Sequence, residues 1–203
     1  MNRPLLITLK SIVWLACLWP LGSLIWRATT NNLGADPSAA ITFATGLATL
    51  RILTISLAIT PLRRLIPRLN WLIKFRRLLG LFAFFYATLH LFNYLALYAG
   101  FDVNAVAADL TKRRYIMAGF AAWLLLLPLA LTSTNWAIRK LGGKRWNRLH
   151  KLVYLAAVCG VIHYWWQVKP GVLSPLRLTV VLAVLLAARP AWSLWQKRMR
   201  QPG

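Results

Sequence analysis

The stretch NRLHKLVYLAAVCGVIHYWW, residues 147–166, carries two of the chain's three histidines, His150 and His163, in an apolar setting. Imidazole inside a membrane-like segment is costly, and it marks a functional position by default. The third histidine, His90, lies in a second such run, LLGLFAFFYATLHLFNYLAL, residues 78–97. Two long apolar runs with buried imidazoles point to a helical membrane protein, and the remaining sequence extends that reading.

Of 203 residues, 59% are hydrophobic, and 25 Lys and Arg face three Asp and no Glu, for a net charge of +22. A strongly basic chain can signal nucleic acid. Here the basic residues gather between long uncharged runs, which is the pattern of an integral membrane protein with no nucleic-acid partner. Six runs approach the ~20 residues a bilayer helix needs, at about 8–26, 41–61, 77–99, 115–134, 149–167 and 173–194. The expected fold is all-α, a polytopic six-helix membrane bundle forming a single domain over residues 1–203. The first run holds Trp14, Trp19 and Trp26 and lacks a small-x-small cleavage site, so it reads as a retained span. Pro61 is expected to close the second span, and Pro128 to kink the fourth. Residues 27–40 and 100–114 read as short outer loops, and no internal repeat is apparent. Cys17 and Cys159 both lie in apolar runs, which argues against a disulfide or a cysteine metal motif.

Charge sets the expected orientation. Arg63, Arg64, Arg68, Lys74, Arg76 and Arg77 separate spans two and three, and Arg139, Lys140, Lys144, Arg145 and Arg148 separate four and five. Asp36, Asp102 and Asp109 all fall on the opposite side. The positive-inside rule then places both termini in the cytoplasm.

Depth connects two of the histidines. Spans three and five run in the same direction. His90 follows Arg77 by 13 residues, and His163 follows Lys151 by 12, so each sits roughly 20 Å from the inner edge. Two neutral imidazoles at matched depth suit the axial positions of a haem iron. Phe85, Tyr86, Phe92, Tyr94, Tyr164 and Trp165 are the apolar and aromatic neighbours expected around a porphyrin. The plainer reading gives each histidine an interhelical hydrogen bond, but the matched depth favours the metal. Zinc would call for about four ligands, and no carboxylate or aligned cysteine is near. His150 lies at the inner edge, where it reads equally as a second cofactor contact or as a headgroup-level residue. Arg51 stands in the middle of span two. It is either a snorkelling side chain or a partner for a buried anion such as a cofactor phosphate or haem propionate, and its depth favours the second.

LGADP (33–37), ITPLRRL (59–65), RRLLGLFAFFYATLH (76–90), TSTNW (132–136), RWNRLHKLVYL (145–155) and IHYWW (162–166) together resemble the ferric-reductase-like transmembrane group. Within it they are most similar to the haem-binding membrane subunits of bacterial methionine sulfoxide reductase systems. That resemblance spans nearly the whole chain. It implies b-type haem, with FMN also bound, and electron flow from the quinone pool to MsrP, a periplasmic molybdopterin methionine sulfoxide reductase that repairs oxidised proteins. It further implies that His90 and His163 are the haem histidines and His150 the third family histidine. Larger relatives carry two histidines on the third span, whereas this chain carries one. It also has no Gly-rich nucleotide loop. Arg76, Arg77 and His150, at the inner ends of spans three and five, are the candidate contacts for a flavin phosphate or a quinol. No nucleophile–base pair or carboxylate pair suggests a hydrolytic site. A stand-alone ferric or quinone reductase and a small transporter are the competing functions.

Overall fold

A computed structural model describes residues 2–168 and 174–199, so Lys169 and the last four residues lie outside the described chain. Among the described residues all regular structure is helical: α1 (Arg3–Thr29), α2 (Pro37–Leu65), a 3-10 segment (Pro67–Phe75), α3 (Arg76–Leu97), α4 (Val103–Lys112), α5 (Arg114–Leu131), α6 (Asn135–Leu141), α7 (Gly143–Leu149), α8 (Leu152–Gln167) and α9 (Ser174–Met199). The protein is an all-α, multi-pass membrane bundle.

Five of these segments are long and apolar enough to cross a bilayer: α1, α2, the 3-10 segment continuing into α3, α5 and α9. The expected span at 149–167 is shorter than it looked. Short helix α7 ends at Leu149 and α8 starts at Leu152, leaving 16 residues, or about 24 Å of helix.

Two further expectations are corrected. Residues 100–114 are not a plain loop. Asp102 accepts a hydrogen bond from the Asn104 amide at 2.8 Å and caps α4, as an Asp at the N-cap does. Pro61 does not end α2, which continues to Leu65. A proline inside a helix leaves the carbonyl four residues earlier without its amide partner. Here that carbonyl is Leu57, and Arg189 of α9 donates to it at 2.9 Å.

Pro20 breaks α1 in a related way. Near it, Tyr86 of α3 inserts its hydroxyl into the backbone ladder, donating to the Cys17 carbonyl at 2.7 Å and accepting from the Leu21 amide at 3.1 Å. Tyr86 is almost fully buried. Each of these two helices is thus held at its proline by a polar side chain from another helix.

The core lies where α2 packs along α3 and α5 along α8. Ala83, Ala156 and Ala157 are all but inaccessible there, and such small residues let membrane helices approach closely.

Candidate functional site

His90 of α3 and His163 of α8 meet inside the bundle, with ring centroids 5.7 Å apart and planes 84° to each other. Each ring is fixed from the neighbouring helix. His90 Nδ1 lies 2.9 Å from the Thr42 carbonyl of α2, and His163 Nδ1 lies 2.6 Å from the Tyr115 carbonyl of α5. A carbonyl can only accept, so both Nδ1 atoms carry the proton and both Nε2 atoms keep a lone pair.

Glycine makes the room. A Cβ on Gly46 would sit 3.0 Å from His90 Nδ1 and Cε1, and one on Gly119 would sit 2.7 Å from His163 Nδ1. Gly46 follows Thr42 by four residues and Gly119 follows Tyr115 by four, so each glycine lies one turn along from the carbonyl that anchors its histidine.

The two halves therefore repeat one arrangement. Both histidines are 48 residues from their carbonyl partners. Thr42, Gly46 and His90 map onto Tyr115, Gly119 and His163 at a constant offset of 73 residues (163 minus 90). The sequence reading found no repeat because few positions preserve it in residue type. The same offset sets His150 opposite Arg77.

A cavity of about 410 Å³ opens around the pair, lined by both histidines with Phe43, Tyr94, Tyr98, Tyr115, Phe120, Trp123 and Tyr164 among others. Of the six aromatic neighbours expected, only Tyr94 and Tyr164 line it. Tyr86 braces α1. Trp165 donates to Thr179 of α9 at 2.7 Å. Phe85 and Phe92 point outward. Phe85, Phe92 and Trp165 stand two or five residues from a histidine and so on another helix face, whereas Tyr86, one turn from His90, is committed to α1.

Arg113 also lines the cavity, and the sequence reading did not single it out. It pairs with Asp109 at 3.0 Å and donates to the Tyr115 hydroxyl at 3.3 Å. Tyr94 donates to the same carboxylate at 2.9 Å. These groups tie α3, α4 and α5 together beside the histidines. The only hint in the sequence was an Asp and an Arg spaced i, i+4 among the few polar residues of that side.

The inner candidates lie apart from this cavity. Arg76 reaches Thr60 at 3.5 Å, and Arg77 donates to Asn135 at 2.7 Å. His150 stacks on Trp146 at 3.7 Å between centroids, with Nδ1 3.1 Å from the Trp146 carbonyl. Its Nε2 is buried without a hydrogen bond, as are Nε of Arg63 and Nε of Arg189. Burial pushes the His150 imidazole below its ordinary value. The carbonyls of Trp146 and Leu129 oppose that shift, and the Arg76 charge adds to it. Arg51 lines neither region. It faces a separate groove between α1 and α2.

Comparison with known proteins places this architecture. The family described as ferric reductase like transmembrane component matches residues 39–161, a range that holds His90 and His150 and ends two residues before His163. The chain belongs to this ferric-reductase-like family. Among its relatives are proteins named protein-methionine-sulfoxide reductase heme-binding subunit MsrQ. The one from Herminiimonas arsenicoxydans is 49% identical over 98% of this chain and 91% of its own length. Those from Ralstonia nicotianae and Polaromonas naphthalenivorans are 46% and 45% identical, over 91% and 95% of this chain and 85% and 88% of their own lengths. No solved structure matches.

The donor set fits the haem that a ferric-reductase-like relative is named for. Two imidazoles with free Nε2 atoms on facing helices suit a six-coordinate iron, and the apolar cavity suits a porphyrin. Among the described residues no group of three or more His, Cys, Asp or Glu comes together, so a four-ligand zinc centre lacks its donors.

Proposed function

We propose that the protein is the membrane electron-transfer subunit of a protein-methionine-sulfoxide reductase system. In this reading His90 and His163 ligate one b-type haem, which takes up and gives out single electrons. Electrons come from the quinone pool and pass to a periplasmic molybdopterin methionine sulfoxide reductase, MsrP, which performs the reduction of oxidised methionine. The observation that carries the reading is the meeting of two imidazoles from different helices at 5.7 Å, each tied through Nδ1 to a backbone carbonyl.

This chain's own residues have defined tasks. The Thr42 and Tyr115 carbonyls hold the tautomer and aim both Nε2 atoms, as outer partners of metal-bound histidines do. Gly46 and Gly119 keep the rings upright against their helices. The apolar wall of Phe43, Phe120 and Trp123 limits water near the iron, one of the means by which a protein sets a cofactor's potential. Arg113 supplies a cation for a propionate.

At the inner side, Arg76, Arg77 and His150 form the assigned contact region for FMN. The orphan Nε–H groups of Arg63 and Arg189 support an anionic, hydrogen-bonding occupant on the inner side, since buried unpaired donors are costly, while His150, with Nδ1–H turned to the Trp146 carbonyl, offers Nε2 as an acceptor. Both termini and the loops 62–76 and 135–148 face the cytoplasm of the inner membrane.

Purified protein tests the assignment. Haem and flavin are quantified chemically, and the absorption spectrum is recorded with and without dithionite. Low-spin b-type bands with stoichiometric haem are expected. A preparation that refuses haem even when reconstituted would end the reading.

A further inference from the structure

We propose that the groove between α1 and α2 is the binding site of a lipid-soluble quinol, with Arg51 as the residue that holds its head group. The inference rests on the electron-transfer reading, which already takes electrons from quinol, and adds to it a site and a residue.

The groove has a volume of about 840 Å³ and is almost wholly apolar, apart from Ser23, Arg27 and Arg51. It is open on the lipid-facing side, where Trp19 and Ile55 are exposed. Arg51 is the central residue of α2, and Ala16 is the central residue of α1. Both line the groove, roughly 20 Å from either helix end. A guanidinium at that depth is expensive unless something pairs with it. Among the described residues Arg51 has no ion-pair or hydrogen-bond partner, and all three Asp lie at or beyond the outer helix ends.

Depth selects the occupant. A phospholipid phosphate stays at the interface, far from the middle of two long helices. A quinol is the membrane-soluble carrier whose ring oxygens can reside at midplane while its isoprenoid tail stays in lipid. Arg51 offers five N–H donors to one head-group oxygen. Across the groove, Pro20 has no amide to give the Ala16 carbonyl, so the α1 break presents an acceptor for a quinol O–H.

Position relative to the histidines completes the argument. Phe43 and Leu47 of α2 line both this groove and the histidine cavity. One helix, about 10 Å across, therefore separates the two sites. Arg51 lies five residues inward of Gly46, roughly 7.5 Å in depth, so a head group here shortens the long gap between the inner face and the His90–His163 pair. Oxidation of one quinol breaks two O–H bonds and yields one quinone, two protons and two electrons. A haem held by His90 and His163 would take these electrons one at a time, so two successive reductions would balance one quinol. The protons leave to water along the groove past Ser23 and Arg27.

The test uses the full-length haem protein in phospholipid vesicles with an azidoquinone photoprobe. The label is expected on peptides of α1 and α2, with excess quinone protecting them. Arg51→Leu should slow quinol-driven haem reduction roughly ten- to hundredfold, the weight of a charge-assisted hydrogen bond. Haem content and dithionite reduction should stay unchanged, and Arg51→Lys should recover part of the rate. Ala44→Phe, which fills the groove without touching Arg51, should block labelling as well. Label on the inner segment 146–151, none of which lines the groove, in place of α1 and α2 would overturn the proposal. So would wild-type labelling and rate in both Arg51→Leu and Ala44→Phe, or bound phospholipid that quinone cannot displace. Absence of haem would defeat the electron-transfer reading alone, because photolabelling of the same protein still decides what the groove binds.

Discussion

Arg189 donates to the Leu57 carbonyl at 2.9 Å and to the Tyr154 hydroxyl at 2.7 Å, its guanidinium 4.6 Å from the Tyr154 ring centroid. Leu57 is the residue whose helical partner Pro61 removes. One side chain of α9 therefore seals α2 and anchors α8. Arg189→Ala should cost about 1–3 kcal/mol, the penalty for a buried acceptor left unmet. A thermal-unfolding series in detergent checks this, and a variant as stable as wild type would mean that water or lipid satisfies Leu57. Tyr86→Phe should destabilise α1 by a similar amount, because the Cys17 carbonyl and Leu21 amide both lose their bridge.

His90→Ala and His163→Ala should each abolish the low-spin haem spectrum. Retention of wild-type bands by either variant would separate that histidine from the iron.

The glycine pair gives a graded expectation. Gly119→Ala places a methyl 2.7 Å from His163 Nδ1, against 3.0 Å for Gly46→Ala at His90. Haem occupancy should therefore fall in both variants and fall further in Gly119→Ala. Pyridine haemochrome assays on matched protein amounts measure it.

His150 predicts a pH dependence. Its folded-state pKa lies below the ordinary 6.5 because burial disfavours the imidazolium. Above 6.5 neither the folded nor the unfolded state binds the proton, and His150 has no effect on stability. As pH falls through 6.5 the unfolded chain takes up a proton that the folded chain resists, so stability declines until the folded pKa is reached. His150→Gln should remove that part of the acid sensitivity while matching the wild-type trend above neutrality. Melting temperatures across the range test the sign.

Orientation follows from the basic loops. A periplasm-active reporter placed at Gly142, between α6 and α7, should be inactive, and one placed at Gly34 should be active. The reverse pattern would invert the assigned topology.

The meeting of His90 and His163 was legible in the sequence because depth along parallel helices is counted in residues from charged ends. Which helix face each side chain uses was not, and most of the expected aromatic lining turned elsewhere. Arg51 stood out by its depth, while its groove depended on how α1 packs, which no spacing encodes. Pro61 misled as a stop signal because its repair comes from Arg189, more than a hundred residues later. α8 proved short because Leu149–Lys151 turn the chain between two helices without a proline or glycine to mark the break.

The matched supports of the two histidines make the site modular. Each hairpin-like half brings its own ligand, its own carbonyl anchor and its own glycine, so neither half borrows geometry from the other. A fault in one half therefore leaves the opposite imidazole aimed, and the two rings can be perturbed one at a time. The likeness stops at the inner face, where the position that matches His150 is Arg77.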